Sequence, residues 1–276
     1  MKAIMETEDV RYRYPGIGEE ALSGLSMQIP EGRKVAICGA NGCGKSTLFL
    51  HAIGILRPTS GRVKWRGQPV GYDRASLGAL RRRVGLVFQD PEHQLILNTP
   101  REDISYGLRN LGLAEAEIRE RADRIVEKMG LADLAGLPTH HLSLGQKKRV
   151  ALAGVLALKP ELLLLDEATA YLDRRSERAL LAELDDACRR GVTVAMATHD
   201  MNVAYSWADW VLVMDKGRCA MAGPPHEVFS REEEIQALGL ELPLLYEVWK
   251  AMPEELRAGF ESPRSLEAFK EALNPV

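Results

Sequence analysis

The octapeptide Gly39-Ala40-Asn41-Gly42-Cys43-Gly44-Lys45-Ser46 constrains the fold of this chain more than any other segment. It matches G-x-x-x-x-G-K-[ST], follows the apolar run Lys34–Cys38, and opens an apolar-periodic stretch over 45–56. That order predicts a strand, a phosphate-cradling loop and a helix. Glycines let backbone N–H groups converge on phosphate oxygens, and the helix N-terminus adds its positive end. Lys45 is then expected to reach the β and γ phosphates of ATP, and Ser46 to supply an oxygen to Mg²⁺. Thr47 either assists at the α-phosphate or completes the first helical turn.

The flanking patterns agree with an α/β chain. Alternation in Val10-Arg11-Tyr12-Arg13-Tyr14, and β-leaning pieces at 25–29 and 34–38, predict an opening sheet broken by Pro15-Gly16 and Glu31-Gly32, and another strand is expected near 62–65. Apolar residues at three and four spacing over 101–129 predict a helical subdomain. Beyond Ser143 the pattern is a helix to about 158, a buried strand Leu162–Asp166, a helix Arg174–Arg189 and a strand Thr193–Thr198. Such alternation implies a parallel sheet with crossover helices. Two further strands, at 210–214 and 218–221, flank Asp215-Lys216-Gly217. Residues 225–276 carry 11 acidic and 5 basic side chains and are cut by Pro243, Pro253 and Pro263, which predicts a small acidic helical appendage.

Composition narrows the function classes. With 276 residues, 46% of them hydrophobic, and a formal net charge of −3, the chain has no global pull toward nucleic acid or anionic membrane. The basic run Arg81-Arg82-Arg83 is expected to be a solvated helix end. Cys38, Cys43, Cys188 and Cys219 form no C-x-x-C pair, which suits a reducing compartment and neither a disulfide framework nor a zinc ribbon. The N-terminus turns acidic at Glu6 and carries no signal-like apolar stretch. The most apolar region, 150–165, is interrupted by Lys159-Pro160-Glu161 and falls short of a membrane span. His140-His141 and His93 lack neighbouring Cys or carboxylates at ligand spacing, so no transition-metal site is expected there. On an extended segment the two adjacent histidines would point opposite ways.

The strand Leu162–Asp166 runs into Glu167, so two carboxylates end an apolar strand downstream of the phosphate loop. One acid, Asp166, can hold Mg²⁺ while Glu167 polarises water. About twenty residues earlier stands Leu142-Ser143-Leu144-Gly145-Gln146, which resembles the LSGGQ signature of the ABC ATPases. The resemblance covers 1–223. It implies a P-loop ABC ATPase with a RecA-like α/β core, an antiparallel β subdomain, an α-helical signature subdomain at about 95–155, and a helical extension over 224–276 that serves dimerisation. Gln89 then resembles the Q-loop glutamine, which also faces Mg²⁺, Asp173 the D-loop acid, and His199 the switch histidine. Tyr14 is placed like the aromatic that stacks on adenine, although Val10, Tyr12 and Tyr14 would share one strand face and either tyrosine could simply pack.

In that family two chains face each other head to tail. Ser143, Gly145 and Gln146 of one copy would bind the γ-phosphate of the nucleotide held by Gly39, Asn41, Gly42, Cys43, Gly44, Lys45 and Ser46 of the other. The chain departs from the signature at Leu144, where glycine is usual, and in Asp173-Arg174-Arg175, where proline often follows the D-loop acid. Tyr12-Arg13-Tyr14-Pro15-Gly16, the segment from Val87 through Gln94, and Gln146 through Ala157 look like the ATPases of energy-coupling-factor transporters, particularly the cobalt-importing branch. This likeness implies a second ATPase subunit, by simplest reading an identical one, a transmembrane coupling subunit and a substrate-binding membrane subunit. It places the chain at the cytoplasmic face of the cell membrane, held there by those partners. Nickel or a vitamin remains open as cargo, and so does a soluble ABC ATPase outside transport.

Overall fold

Residues 36, 38, 163 and 165 point to one face of a parallel sheet and residues 35, 37, 162 and 164 to the other, and both sets are fully buried. A strand buried on both faces reads as a continuous apolar run, which is why Lys34–Cys38 and Leu162–Asp166 carry no polar alternation. The computed structural model describes residues 2–257 and 260–273. Position 1 and positions 274–276, the outer ends of the two expected units, lie outside the described residues, as do 258 and 259.

The chain begins with β1 (Ala3–Tyr12), β2 (Leu22–Pro30) and β3 (Lys34–Cys38), followed by α1 (Lys45–Ala52). Next come β4 (Ser60–Trp65), β5 (Gln68–Pro69), α2 (Arg74–Arg81) and β6 (Val84–Val87). Helices α3 (Pro100–Asn110), α4 (Glu115–Lys128) and α5 (Leu144–Ala157) form the helical subdomain. Then β7 (Leu162–Asp166), α6 (Arg174–Arg189), β8 (Thr193–Thr198), α7 (Met201–Trp207), β9 (Trp210–Asp215) and β10 (Arg218–Gly223) complete the core. Five short helices follow among the described residues: α8 (Pro225–Phe229), α9 (Glu232–Ala237), α10 (Leu244–Lys250), α11 (Glu254–Arg257) and α12 (Leu266–Leu273). None of the described helices is long and apolar enough to cross a membrane.

Six strands form a sheet in the order β10-β9-β3-β8-β7-β6. All neighbours in it are parallel except β9 and β10. A separate antiparallel sheet has the order β2-β1-β4-β5, so the piece at 34–38 expected in the opening sheet lies instead in the parallel one, between β8 and β9, and the strand at 60–65 takes a place beside β1. One hydrophobic cluster joins that antiparallel sheet, α1 and one face of the parallel sheet through Val10, Leu25, Phe49, Ile37 and Leu164. A second joins the other face to α3, α4, α5 and α6, with Ile104, Val126, Leu152 and Leu184 at its centre. Phe229, Ile235 and Tyr246 belong to this second cluster, so the acidic C-terminal segment is packed into the same core as β9 and α7.

Several local expectations need correction. The opening strand stops at Tyr12, because Pro15 offers no N–H to a ladder and Ile17 N–H instead closes a turn on the Tyr14 carbonyl. Tyr14 therefore lies off the strand face assigned to it with Val10 and Tyr12. Helix α1 ends at Ala52 rather than near 56, since Gly54 takes φ +67 and donates its N–H to the His51 carbonyl. Arg81 is not merely solvated: its guanidinium donates to the carbonyls of Ile53 and Gly54, the end of α1. His140 and His141 sit on a 3-10 turn, not an extended segment, with ring centroids 4.3 Å apart and edge to face.

Candidate nucleotide site

Strands β3, β6, β7 and β8 are mutually parallel, so the segments that follow them emerge at one edge of the sheet, where ligands gather in open α/β folds. The phosphate loop follows β3, Gln89 follows β6, Glu167 follows β7 and His199 follows β8. Gln89, Glu167 and His199 thereby line one cleft of about 550 Å³ together with Tyr14, Asn41, Gly42, Gly44, Lys45, Ser46 and Thr47, residues up to 185 positions apart in the chain.

The loop backbone requires its glycines. Gly39 has φ +148, and a Cβ there would lie 2.3 Å from the Met214 carbonyl oxygen. Gly44 caps α1 with φ +109, and its Cβ would meet the Ala21 carbonyl oxygen at 2.6 Å. The Cys43 side chain is buried against Gly39, where burial pushes its thiol up from the ordinary value. It is a packing residue whose backbone belongs to the cradle. Lys45 is buried and donates to the carbonyls of Gly39 at 2.8 Å and Ala40 at 3.1 Å, with Glu167 Oε1 at 4.0 Å. The ammonium thus lies across the loop mouth.

Around Glu167 the cluster tightens. Gln89 Nε2 donates to Glu167 Oε2 at 3.2 Å, and His199 Nδ1 lies 3.5 Å from the same oxygen. Glu167 itself has φ +46, in the left-handed region that a non-glycine residue rarely occupies. Its N–H is held by the Ala197 carbonyl of β8 at 3.1 Å. Burial raises the neighbouring Asp166 carboxyl above its ordinary value and Glu167 adds to this, while the Ser46 hydroxyl and the Lys45 ammonium pull it back. A buried carboxylate beside a hydroxyl is a hard-oxygen donor set that fits Mg²⁺.

Tyr14 hydroxyl and Thr47 Oγ1 are 3.2 Å apart, and the Tyr14 ring meets Tyr12 edge to face at 5.1 Å. Tyr14 lines the cleft, while Tyr12 packs on the cluster containing Phe49. Thr47 both completes the first turn of α1 and reaches Tyr14.

Ser143, Gly145, Gln146 and Asp173 stand apart from this lining. Ser143 caps α5 in a reciprocal capping box: its Oγ accepts from Gln146 N–H at 3.3 Å, and Gln146 Oε1 accepts from Ser143 N–H at 2.8 Å. Asp173 caps α6, accepting from Ser176 N–H at 2.8 Å and from its hydroxyl, and these bonds hold its carboxyl below the ordinary range. A Cβ on Gly145 would lie 3.1 Å from Ser176 Oγ, so the first turns of α5 and α6 abut. The first turns of α5 and α6 form a second surface separate from the cleft. Sequence reasoning passed over Tyr171, which is 83% exposed, lines the cleft and has φ +61. Its only sequence signal is a bulky residue in the short link between Glu167 and Asp173.

Residues 22–170 match the family model for ABC transporters. The chain belongs to the ABC transporter family. Among relatives of this ABC ATPase, the energy-coupling factor transporter ATP-binding protein of Methanocaldococcus jannaschii is 44% identical over 240 residues, 87% of this chain and 86% of the relative. The structure of CbiO1 from Clostridium perfringens, described as part of the ABC transporter complex CbiONQ, is 41% identical with a TM-score of 0.77, covering 91% of this chain and all of that one. A dimeric ATP-binding cassette in a post-hydrolysis state, bound to ADP and Pi, is 29% identical with a TM-score of 0.72 over 80% of this chain and 98% of that one. As a member of this family, the ABC ATPase couples ATP hydrolysis to transport.

Proposed function

We propose that this chain is the ATP-hydrolysing motor subunit of an energy-coupling-factor importer, and that its cargo is cobalt. The observation that carries the motor reading is the convergence of Gln89, Glu167 and His199 on the phosphate loop. The relative from Methanocaldococcus jannaschii and the cobalt-type likeness of 87–94 and 146–157 support the transporter class. Nickel and a vitamin are the nearest alternative cargoes, because an ATPase of this type does not touch what is carried.

In this reading residues 1–223 are the nucleotide-binding unit, with the helical subdomain at about 95–155, and 224–276 are an extension serving dimer contacts. Tyr14 stacks on adenine, the backbone N–H groups of 39–46 bind the phosphates, and Lys45 leaves the carbonyls of Gly39 and Ala40 for the β and γ oxygens. Ser46 and Asp166, with Gln89 beside them, would hold Mg²⁺, which when bound would supply positive charge to the phosphate oxygens. Glu167 accepts a proton as water adds to the γ-phosphorus and the bond to the bridging oxygen breaks. Gln89 and His199 hold the carboxylate and the γ-phosphate in line. A second copy supplies Ser143, Gly145 and Gln146, whose capping box opens to offer the α5 N-terminus to the γ-phosphate, and Asp173 lies at the same junction. Closure and reopening of this dimer then move a transmembrane coupling subunit and a substrate-binding subunit at the cytoplasmic face of the membrane.

The test is purification of the tagged chain from native membranes in mild detergent, with partners identified by mass spectrometry and bound metals by elemental analysis. Integral membrane partners with cobalt are expected. Nickel or a vitamin-binding subunit would reassign the cargo. Recovery of soluble partners alone, where a control membrane complex survives, would overturn the transporter reading.

A further inference from the structure

Lys148, on the second turn of α5, is 2% exposed. A buried ammonium is unfavourable unless all its donors are met. Here its Nζ donates to three carbonyl oxygens: Glu167 at 3.2 Å, Ala168 at 3.0 Å and Ala170 at 2.8 Å. Among the described residues no carboxylate lies within 4.0 Å of it, so its hydrogen bonds go to backbone alone; burial lowers its pKa, and the Glu167 and Asp90 carboxylates act on it only at longer range. The neighbouring Lys147 behaves differently, pairing with Glu92 at 2.5 Å.

The three carbonyls belong to the turn that begins at Glu167 and ends at Tyr171, and both of these non-glycine residues are left-handed, at φ +46 and +61. A turn with two such residues persists only where its surroundings over-determine it. Burial alone does not do so, since Tyr171 is exposed. The further hydrogen bonds around the turn are Glu167 N–H to Ala197 and the internal bonds from Ala170 N–H to Glu167 and Leu172 N–H to Thr169. From these observations we infer that Lys148 is a positioning residue for Glu167: its ammonium gathers the carbonyls of 167, 168 and 170 and so holds the left-handed turn that brings the Glu167 carboxylate to Gln89, His199 and Lys45.

This rests on the reading of Glu167 as the carboxylate that faces the attacking water. Lys148 does not itself line the nucleotide cleft and reaches Glu167 only at its main-chain carbonyl, away from the reacting atoms, so its removal is expected to act on turnover and not on nucleotide binding. Lys148→Met keeps the length of the side chain and removes the donors. Lys148→Arg keeps donors on a cationic group.

The experiment measures ATP turnover at saturating MgATP, KM for ATP, and ATP affinity by calorimetry on the full chain, for wild type, Lys148→Met, Lys148→Arg and Glu167→Gln. Lys148→Met is expected to lower kcat about tenfold or more with affinity within about twofold of wild type, and Lys148→Arg to recover part of the loss. Should Lys148→Met fail to fold, Lys148→Gln, which keeps two donors, is expected to show an intermediate loss of kcat at unchanged affinity. Wild-type kcat in folded Lys148→Met, or in Lys148→Gln where Lys148→Met does not fold, overturns the inference while leaving Glu167 in its role, provided Glu167→Gln is inactive. Equal losses of kcat and affinity would make Lys148 a general fold residue and also overturn it. Wild-type turnover by Glu167→Gln would instead remove the reading on which the inference rests.

Discussion

Gln89 Nε2 donates to Glu167 Oε2 at 3.2 Å across 78 positions of sequence, joining the segment after β6 to the end of β7. These strands are parallel neighbours, paired from Val84 with Leu162 to Val87 with Leu165, so the register itself brings the two side chains to the same edge. Gln89→Ala frees the carboxylate without touching the phosphate loop. Turnover is expected to fall about tenfold to a hundredfold with ATP affinity little changed, as steady-state kinetics and calorimetry on the same variant would read.

Glu167→Gln keeps the size of the side chain and its contact with Gln89 but removes the proton acceptor. Hydrolysis is expected to stop while ATP stays bound, so a dimer accumulates with MgATP in light scattering. Only monomer under those conditions would rule out a site shared between two copies.

Tyr14 separates stacking from hydrogen bonding, because its hydroxyl reaches Thr47 while its ring lines the cleft. Stacking of a base on an aromatic ring contributes about 1–3 kcal/mol, so Tyr14→Ala is expected to weaken ATP binding about fivefold to a hundredfold. Tyr14→Phe retains the ring and should bind ATP nearly as well as wild type. Equal weakening in both variants would assign the tyrosine to the hydroxyl contact.

The C-terminal segment is tied to the helix that follows β8. Asn202 on α7, three residues past His199, accepts the Leu244 N–H at 2.8 Å, and Arg264 Nε donates to the Tyr205 carbonyl at 2.8 Å. Phe229 is fully buried against Tyr205, with ring centroids 5.5 Å apart. Phe229→Ala is expected to destabilise the chain by about 3–5 kcal/mol in urea unfolding. Deleting 225–276 should weaken self-association in sedimentation while nucleotide binding survives in whatever fraction stays folded. Loss of ATP binding by the folded fraction would make the segment part of the nucleotide unit.

His51 provides a pH test. It is fully buried, its Nδ1 lies 2.8 Å from the Thr47 carbonyl, and burial holds its pKa below the ordinary value. The unfolded chain therefore binds a proton below about pH 6.5 that the folded chain resists. This lowers stability as pH falls through the window beneath about 6.5, and the contribution is absent above it. The loss of Tm between pH 7.5 and 5.5 is expected to be smaller in His51→Gln than in wild type; an equal loss would place the titration elsewhere.

Much of the core was legible because its signals are local. The ends of β3, β7, α6 and β8 follow directly from where apolar runs meet Gly39, Glu167, Asp173 and His199. Tyr14 was harder, since alternation through Tyr12 continues to it and only Pro15 interrupts the ladder. The C-terminal helices read as an appendage because their charge is acidic, yet Phe229, Ile235 and Tyr246 join the cluster under β9. Net charge reports the solvent face of a segment and is silent about what its apolar face meets.

The sequence by itself determined where a phosphate-cradling loop is expected, because a loop of backbone N–H groups needs glycines at set intervals and a lysine at its end. It also determined that strands and helices alternate, through the switch from short apolar runs to longer periodic ones. Only the tertiary structure decided that Gln89, Glu167 and His199 meet, since that depends on β6, β7 and β8 being parallel and in register. Only it showed that Lys148, one charge in a run of three, is buried under the Glu167 turn while Lys147 faces Glu92. Adjacent helical residues point about 100° apart, and which of them meets a neighbouring turn is settled by packing across the whole chain.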